Sequence, residues 1–238
     1  MKIIGIDIGT TSICAVVTDA DSGELISSVS APNRAFIASD KPFEKIQDPA
    51  VIMSTVRELI SRLCVDDAAA IGFSGQMHGV LYTDSCGKAV SPLYIWQDER
   101  AAQRYKDGKT YAEYLGCFPG YGLATDFYNE VNGLIPDNAE YLCTIADYAA
   151  MQLWGNSKPV MHITNAASLG CFDVKSNRFT LKNDRLPDVT TEFKSVGRCK
   201  GIPLCAALGD NQASFIGSVR EPSDALLNVG TGAQISWL

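Results

Sequence analysis

The first twelve residues constrain the fold of this chain more than any other stretch. Residues 2–8 form an apolar run rich in β-branched isoleucine, which is typical of a buried strand, and one charge, Asp7, interrupts it. A second apolar stretch begins at Ile13. Four small residues lie between the two stretches: Gly9, Thr10, Thr11 and Ser12. This pattern predicts two strands joined by a tight turn.

The composition of this turn suits an anion. Its backbone N–H groups and hydroxyls can face a phosphate, and the carboxylate of Asp7 at the strand end can hold a hydrated Mg²⁺ beside it. An ordinary hairpin in which Asp7 caps the turn fits the same residues. The turn alone therefore leaves both interpretations open.

The length and charge of the chain limit its number of domains and its main partners. With 238 residues and 46% apolar composition, it can bury a substantial core as one large domain or two small ones. The formal net charge is −7 without a basic run, which argues against nucleic acid and anionic membranes as main partners. The N-terminus has no signal-peptide pattern and no stretch reaches the length of a membrane span, so we expect a cytoplasmic protein.

The eight cysteines predict thiols rather than a metal site. None of them forms a Cys-x-x-Cys pair, and the chain has only two histidines, so a zinc site has little support. Several cysteines lie within apolar runs. We expect reduced thiols that serve mainly as small core residues.

The first third of the chain predicts a meander and a helix. Residues 13–18 and 25–30 have strand patterns that extend the first strand into an antiparallel meander. Residues 49–64 carry apolar side chains at helical spacing, and Asp48 is expected to cap that helix.

The middle of the chain is predicted to be mostly helical. A helix is expected to begin at residues 97–100, and residues 109–155 have a mainly helical pattern that is clearest over 144–154. Residues 175–200 are polar and weakly periodic, and they predict little.

The end of the chain predicts a second strand–turn–strand unit. Residues 202–208 resemble a strand that leads into a turn and a short helix, and residues 225–229 and 233–237 resemble a final pair of strands. An isolated hairpin is marginal in water, so we expect the chain to end inside a second domain. The expected division is a first domain over 1–220 and the start of another over 221–238.

Asp210 is the first candidate for chemistry. It follows an apolar strand and opens a helix, where a carboxylate is well placed to take a proton from a hydroxyl held nearby. The alternative is that Asp210 only caps the helix.

Two loops carry polar groups that suit a sugar. Gln76 and His78 offer hydrogen bonds to hydroxyls and Met77 can pack on carbon faces, although a structural histidine is the alternative. Trp96 lies two residues before Asp98, an aromatic beside donors and acceptors that can hold a polyol. A solvated helix start is the alternative for those charges.

Five motifs span essentially the whole chain: Asp7-x-Gly-Thr-Thr-Ser12, Gly75-Gln-Met-His-Gly79, Trp96-Gln-Asp-x-Arg100, Gly209-Asp-Asn-Gln-Ala-Ser214 and Gly230-Thr-Gly232. Together, and in this order, they resemble those of the FGGY-type carbohydrate kinases, and beyond them the wider superfamily of sugar kinases, actin and chaperone ATPases. Within the family, the Met-His loop looks like that of ketose kinases such as xylulokinases, while other stretches look most like the sedoheptulokinases.

The resemblance implies a fold and a reaction. The fold is an α/β, ribonuclease-H-like domain of the actin-like ATPase superfamily, with a mixed sheet and flanking helices. The reaction is transfer of the γ-phosphate of ATP to a ketose hydroxyl, with ATP and Mg²⁺ in a cleft between two domains and the sugar mainly on the first.

The resemblance also assigns roles to residues. Asp7 would organise Mg²⁺, and Asp210 would be the general base. The sugar pocket would comprise Gln76, Met77, His78, Asp98 and Gln212. The two phosphate-facing loops would comprise Gly9, Thr10, Thr11 and Ser12, and Gly230, Thr231 and Gly232.

One departure from the family limits what this chain can do alone. Family members are about twice as long, so we expect an N-terminal portion that lacks the adenosine pocket and has no kinase activity by itself. We expect its uncovered final hairpin to be disordered, to fold back on the first domain, or to pair with a neighbouring molecule in self-association. The competing interpretations are a sugar-binding module without catalysis, and an actin-like or chaperone ATPase, which the Met77-His78 loop and Asp98 disfavour.

Overall fold

The computed structural model describes residues 1–65, 67–221, 223–229 and 233–237. The helices are α1 (Pro49–Leu63), α2 (Tyr111–Leu115), α3 (Gly122–Val131), α4 (Ile145–Trp154), α5 (Ile163–Ser168) and α6 (Asp210–Ser218). The strands are β1 (Lys2–Ile8), β2 (Ser12–Asp19), β3 (Leu25–Pro32), β4 (Phe36–Ile37), β5 (Ile46–Gln47), β6 (Ala70–Gly75), β7 (Leu81–Thr83), β8 (Leu93–Tyr94), β9 (Tyr141–Cys143), β10 (Val160–His162), β11 (Phe172–Asp173), β12 (Arg178–Phe179), β13 (Asp188–Thr190), β14 (Ser195–Cys199), β15 (Ile202–Cys205), β16 (Leu208–Gly209), β17 (Ala225–Val229) and β18 (Ala233–Trp237).

A seven-stranded mixed sheet organises the fold. Its strand order is β14-β15-β6-β1-β2-β3, and β16 also pairs with β6. β1, β2 and β3 form the predicted antiparallel meander, whereas β6 runs parallel to β1, β15 and β16. The carboxyl ends of β1, β6 and β16 therefore lie together at one edge of the sheet. Candidate site residues named in the sequence analysis, Asp7 and Asp210 among them, lie at this edge.

The two faces of this sheet differ in burial. Ile4, Ile6 and Ile8 are at most 2% exposed and enter the main core. Gly5 and Asp7 alternate with them on the other face, and Asp7 is exposed. Because side chains alternate along β1, one face of the strand packs in the core and the other face is exposed at Asp7.

The helix α1 begins and ends as its sequence predicts, within one residue. The Asp48 side chain accepts a hydrogen bond of 2.7 Å from the Ala50 N–H, and Pro49 occupies the first turn, where its missing N–H costs nothing. The helix ends at Cys64, which has a φ of 51°. Helix α1 packs against β2 and β3, while α4 packs against β6 and β14.

The middle of the chain is less helical than expected. The helix predicted at residues 97–100 is wrong, because only a 3₁₀ turn forms there, over Arg100–Ala102. Residues 109–155 hold three separate helices and the short strand β9, whose last residue directly precedes the cap of α4 at Thr144. The predicted strand over 202–208 is interrupted between β15 and β16.

The final two strands form as predicted. β17 and β18 pair antiparallel, from Ala225 opposite Trp237 to Val229 opposite Ala233, and make a two-stranded sheet of their own. The turn with Gly230, Thr231 and Gly232 lies outside the described residues. Among the helices that the structure describes, none combines the length and the apolar character needed to cross a bilayer.

Candidate active site

Two buried side-chain amides hold the turn after β1 by donating hydrogen bonds to its backbone carbonyls. Asn33 donates from Nδ2 to the Gly9 carbonyl at 3.0 Å, and Gln47 donates from Nε2 to the Thr10 carbonyl at 2.8 Å. Both amides are buried, Gln47 completely. Because its carbonyls are bonded inward, the turn has a fixed conformation, and the exposed Thr11 and Ser12 remain available to a ligand.

The Thr10 hydroxyl connects this turn to two other loops. Its Oγ1 donates to Gln76 Oε1 and accepts from Trp96 Nε1, both at 3.0 Å. Gln76 in turn donates from Nε2 to Gln47 Oε1 at 2.9 Å. The proposed phosphate turn and the Gln76 loop are therefore parts of one hydrogen-bonded network.

The expected role of Gln76 needs correction. Its side chain is only 3% exposed, and both ends of its amide already have partners in Thr10 and Gln47. Gln76 therefore braces the two loops and does not line the cavity described next. The sequence pattern predicts a sugar loop here but cannot show which of its polar groups faces outward.

A cavity of about 230 Å³ brings together residues from three distant parts of the sequence. It is lined by Met77, His78, Trp96, Asp210 and Asn211. Three of the predicted site residues, Met77, His78 and Asp210, thus meet at one place. Trp96 was a sequence candidate as an aromatic next to polar groups. Asn211 was missed, although its position beside Asp210 in the first turn of α6 offered a signal.

Two contacts hold the His78 ring, one at its edge and one on its face. Its Nδ1 lies 2.7 Å from the Ser168 carbonyl oxygen, and its ring stacks on Tyr121 with centroids 4.6 Å apart and an angle of 3°. Burial lowers the pKa of His78, which favours the neutral imidazole. With Nδ1–H donating to the carbonyl, Nε2 of this neutral ring is a hydrogen-bond acceptor.

Asp210 is not the helix cap that the alternative interpretation required. Gly209 is the N-cap of α6, and Asp210 occupies the first helical position, with Oδ1 accepting from the Asn211 N–H at 2.8 Å. Burial, and to a lesser degree the charge of Asp7, raise the pKa of Asp210 to about 6. A carboxylate with this pKa is ionised at neutral pH and is basic enough to accept a proton.

The strand register brings Asp7 and Asp210 to the same edge of the sheet. Asp7 on β1 is opposite Ser74 on β6, and Ser74 is opposite Leu208 on β16, two residues before Asp210. Ser74 Oγ donates to Asp7 Oδ1 at 2.6 Å. A second cavity, of about 280 Å³, lies along this face and includes Asp7, Ser74 and Ala213 in its lining.

The environment of Asp7 fits a hydrated Mg²⁺. This ion usually takes one or two carboxylates, and its remaining ligands are waters and substrate phosphates. In the described part of the chain, no group of three or more His, Cys, Asp or Glu side chains could hold a metal by itself. The exposed carboxylate of Asp7, next to the turn at Gly9, matches a shared site of this kind and not a closed metal cage.

The expectation that Asp98 lines the sugar pocket is not supported. Asp98 is completely buried, and its carboxylate accepts from Arg100 Nε at 2.7 Å and from the Lys45 N–H at 2.9 Å. Arg100 also donates to Asn129 and Glu44. Because its oxygens are occupied by this ion pair, Asp98 holds the segment that carries Trp96, and it does not line the cavity.

Gln212 lies next to the cavity wall. A Cβ atom added to Gly209 would come within 2.7 Å of Gln212 Oε1 and 2.8 Å of Met77 Sδ, so these three residues are in close contact. Gln212 Oε1 is buried and has no hydrogen-bond partner among the described residues. An unpaired buried oxygen is costly, and it is well suited to a ligand that brings a hydroxyl.

The sequence is similar to those of known carbohydrate kinases. Residues 2–116 match the FGGY family of carbohydrate kinases, N-terminal domain. The chain is 30% identical to the sedoheptulokinase of Homo sapiens over 98% of its own length and 58% of that protein. It is 35% identical to a xylulose kinase of Arthrobacter sp., over 42% of its own length and 97% of that sequence.

The fold is also that of a solved relative. The structure of a ligand-bound xylulose kinase from Lactobacillus acidophilus superposes with a TM-score of 0.82 at 22% identity, covering 98% of this chain and 53% of the other. The chain thus spans a little over half the length of the sedoheptulokinase that it matches. The predicted ribonuclease-H-like, actin-like ATPase fold and the predicted family are confirmed. The chain belongs to the FGGY family of carbohydrate kinases.

Proposed function

We propose that this chain forms the sugar-binding domain of an ATP-dependent ketose kinase, which transfers the γ-phosphate of ATP to a sugar hydroxyl. The observation that carries the proposal is the cavity at His78, Trp96 and Asp210. It combines a neutral imidazole, an aromatic face and a carboxylate whose pKa burial raises to about 6. The imidazole can bond to hydroxyls of a polyol, the aromatic face can pack on its carbons, and the carboxylate can take the proton of the reacting hydroxyl.

The residues in and beside the cavity have distinct roles toward the sugar in this proposal. His78 Nε2 accepts a hydrogen bond from one sugar hydroxyl, Gln212 Oε1 accepts from another, and Trp96 and Met77 pack on the carbon face. Asp210 accepts the proton of the attacking hydroxyl as that oxygen bonds to phosphorus. Holding the hydroxyl next to its base supplies much of the rate, because phosphoryl transfer depends mainly on positioning and charge.

The phosphate side is assigned to the turn after β1. The Thr10 hydroxyl is engaged by Gln76 and Trp96, so the exposed Thr11 and Ser12 and the turn's N–H groups are left to face the phosphate. Mg²⁺ would be held at Asp7 together with phosphate oxygens, and when bound it neutralises charge that develops on the phosphoryl group. The loop at Gly230, Thr231 and Gly232 is proposed to contact the nucleotide phosphates from the other side.

Within the ketoses we propose a sedoheptulose-like substrate, with xylulose as the alternative. Identity to the human sedoheptulokinase is 30% over almost the whole chain, compared with 24% to a xylulose kinase of Streptomyces coelicolor over a similar span. We also propose that the reaction takes place in the cytoplasm, since all eight cysteines are free thiols, as a reducing compartment requires.

Calorimetry on the 238-residue chain tests the sugar site directly. We expect binding of sedoheptulose or xylulose, weaker binding of glycerol, and a reduced affinity in His78→Ala. If no ketose binds while circular dichroism shows an intact fold, the proposal is wrong. A coupled assay on a full-length kinase that contains this sequence then tests phosphorylation across the same panel.

A sugar-binding module without catalysis is the second candidate. The observation that favours it is that the residues assigned to the sugar all lie between Met77 and Gln212, so the proposed sugar site does not need the residues after Gln212. Ketose binding without any ATP-dependent phosphorylation by the full-length protein would support this candidate over the kinase.

We propose in addition that the hairpin of β17 and β18 associates with another copy of the chain. Leu227, Ile235 and Trp237 are 60%, 60% and 71% exposed, which supports this proposal because large exposed apolar side chains favour association.

A further inference from the structure

Two cysteines that are 54 residues apart lie with their sulfur atoms in contact. Cys117 Sγ and Cys171 Sγ are 3.2 Å from each other, and both residues are partly exposed. In a disulfide the sulfurs are about 2.05 Å apart, so they need to approach by roughly 1 Å to form one. Among the described residues no other two cysteines make such a contact.

The two thiols belong to the two segments that position His78. Cys117 is four residues before Tyr121, whose ring stacks on His78. Cys171 is three residues after Ser168, whose carbonyl oxygen faces His78 Nδ1 at 2.7 Å. A covalent bond between the cysteines would therefore join the chain segments that support the imidazole on its two sides.

The packing between these segments leaves little room for an independent movement. A Cβ atom added to Gly170 would lie 2.7 Å from Cys117 Sγ and 3.0 Å from Tyr121 Cδ2. Gly170 and Cys171 both have positive φ angles, of 87° and 49°. The space beside Gly170 is therefore filled by both the Cys117 sulfur and the Tyr121 ring, and a shift of either sulfur by an ångström is expected to displace the Tyr121 ring or the Ser168 segment.

We propose that Cys117 and Cys171 form a reversible disulfide that weakens ketose binding by displacing His78. The oxidant is a small-molecule disulfide of the glutathione class. The formation of the bond stands on the thiol geometry alone, and its effect on ketose binding rests on the proposed function. Disulfides in reducing compartments are usually transient and regulatory, which agrees with thiols that are paired but unbonded.

The exchange proceeds in two balanced steps. The Cys117 thiolate attacks one sulfur of the small disulfide and expels the other half as a thiolate. The Cys171 sulfur then attacks Cys117 Sγ, loses its proton to solvent and expels the second small thiolate. Two protein thiols are oxidised by two electrons, and one small disulfide is reduced to two thiols.

Burial and the hydrogen bond to Cys117 raise the pKa of Cys171, because both favour the protonated thiol. The contact between the sulfurs lets one of them ionise while the other keeps its proton, so the first attack needs only one thiolate, and the same two steps hold with the two cysteines exchanged.

Peptide mapping of the 238-residue chain tests the bond itself. After incubation with glutathione disulfide we expect one internal cross-link, between Cys117 and Cys171, whether or not exposed cysteines such as Cys86 also form mixed disulfides with glutathione. Cys117→Ser and Cys171→Ser should each abolish the cross-link, and Cys86→Ser, at an exposed cysteine elsewhere, should not. A cross-link between other cysteines, or only mixed disulfides with glutathione, would overturn the proposal.

Two readouts test the effect on the site. The chain has only two histidines, so ring ¹⁵N spectra can follow His78 directly, with His162 as the internal comparison. We expect oxidation to shift the His78 nitrogens more than those of His162 and to raise the ketose Kd about five- to tenfold, as for one lost hydrogen bond. Both changes should reverse with dithiothreitol and be absent in Cys117→Ser.

The outcomes separate this proposal from the proposed function. Unchanged His78 resonances in the cross-linked protein would overturn the regulatory role. A reduced protein that binds no ketose would contradict the proposed function, while the cross-link and the His78 spectrum would still decide whether the thiol pair acts on the imidazole.

Discussion

At the scale of single residues, Asp210 combines a raised pKa with a place in the wall of the cavity. Burial keeps this value at about 6, so the carboxylate is ionised at neutral pH and becomes protonated as the pH falls through 6. In a full-length kinase that contains this sequence, kcat/KM should therefore decline below a pH of about 6. Asp210→Asn should lower kcat by about two to four orders of magnitude, the usual range for loss of a general base, and abolish that acidic limb.

The matched control for this prediction is Asp137→Asn, which changes an exposed carboxylate elsewhere. It should leave both kcat and the pH profile unchanged. Near-normal kcat in Asp210→Asn would reduce Asp210 to a structural role in the first turn of α6.

His78 makes a different prediction, because it is assigned to binding. Removing the imidazole in His78→Ala should weaken ketose binding by roughly 1–3 kcal/mol, the cost of leaving hydroxyls unpaired in a site built for them. ATP affinity of the full-length enzyme should be unchanged. His78→Gln keeps an acceptor oxygen and should recover part of the loss. Calorimetry with each ligand measures both effects, and equal weakening of ATP and sugar would remove His78 from the sugar site.

The comparison of Gln76 with His78 shows what the sequence could and could not predict about the site. Both residues stand in one motif, which predicts a sugar loop, yet only His78 lines the cavity. Whether a polar side chain faces the cavity depends on its neighbours, and the partners of Gln76 come from Thr10 and Gln47, far away in sequence. No local pattern marks such partners, which is why Asn33 and Gln47 were missed as supports of the phosphate turn.

At the scale of elements, the Asp98–Arg100 pair fixes the segment after β8. Both residues are at most 2% exposed, and Arg100 also lies over the Tyr94 ring at 4.0 Å. Asp98→Ala leaves a buried guanidinium without its main counter-charge, so we expect a loss of about 3–5 kcal/mol in the free energy of unfolding. Urea denaturation measures this loss.

The control for Asp98 is a surface ion pair. Asp67 meets Lys2 at 2.9 Å with both side chains exposed, so Asp67→Ala should cost no more than about 1 kcal/mol. If Asp98→Ala instead folds with normal stability and loses ketose affinity, the original expectation of a pocket-lining Asp98 would be correct after all.

The cap of α4 predicts a pH dependence of stability. Asp147 forms a capping box with Thr144 and also accepts from Asn165, yet burial raises the pKa of Asp147 to about 7. Between the ordinary value of 3.8 and 7, the folded state holds a proton that the unfolded state has lost. The free energy of unfolding should therefore fall as the pH rises through this window, by at most about 4 kcal/mol for three pKa units.

Asp147→Asn isolates this contribution. The amide does not titrate, so the difference in stability between the two proteins should change with pH between about 4 and 7 and be constant above 7. Thermal or urea unfolding at several pH values gives this difference. A constant difference across the whole range would mean that Asp147 ionises normally in the folded protein.

At the scale of the whole molecule, the sequence predicted the meander, α1, α4 and the final hairpin because each has strong local periodicity. It predicted little over residues 175–200, where the structure has the short strands β12, β13 and β14. Such strands are defined by pairing with distant partners, as β14 is by β15 and β13 by β10. The division into domains at residue 220 stays a prediction.

The final hairpin supplies the last prediction. Leu227 is opposite Ile235 in the register, and Trp237 lies two residues further along the same face, so three exposed apolar side chains form one surface. Burying this surface against a second copy of the chain removes apolar area from water, and the free strand edges can pair at the same time. We therefore expect the 238-residue chain to form dimers or larger species as its concentration rises. Leu227→Lys should shift this equilibrium toward monomer in sedimentation velocity experiments. Gln234→Lys places the same charge on the opposite face of the hairpin and should leave association unchanged. Equal effects of the two variants would show that the face with Leu227 does not mediate self-association. A wild-type chain that stays monomeric at every concentration would show the same.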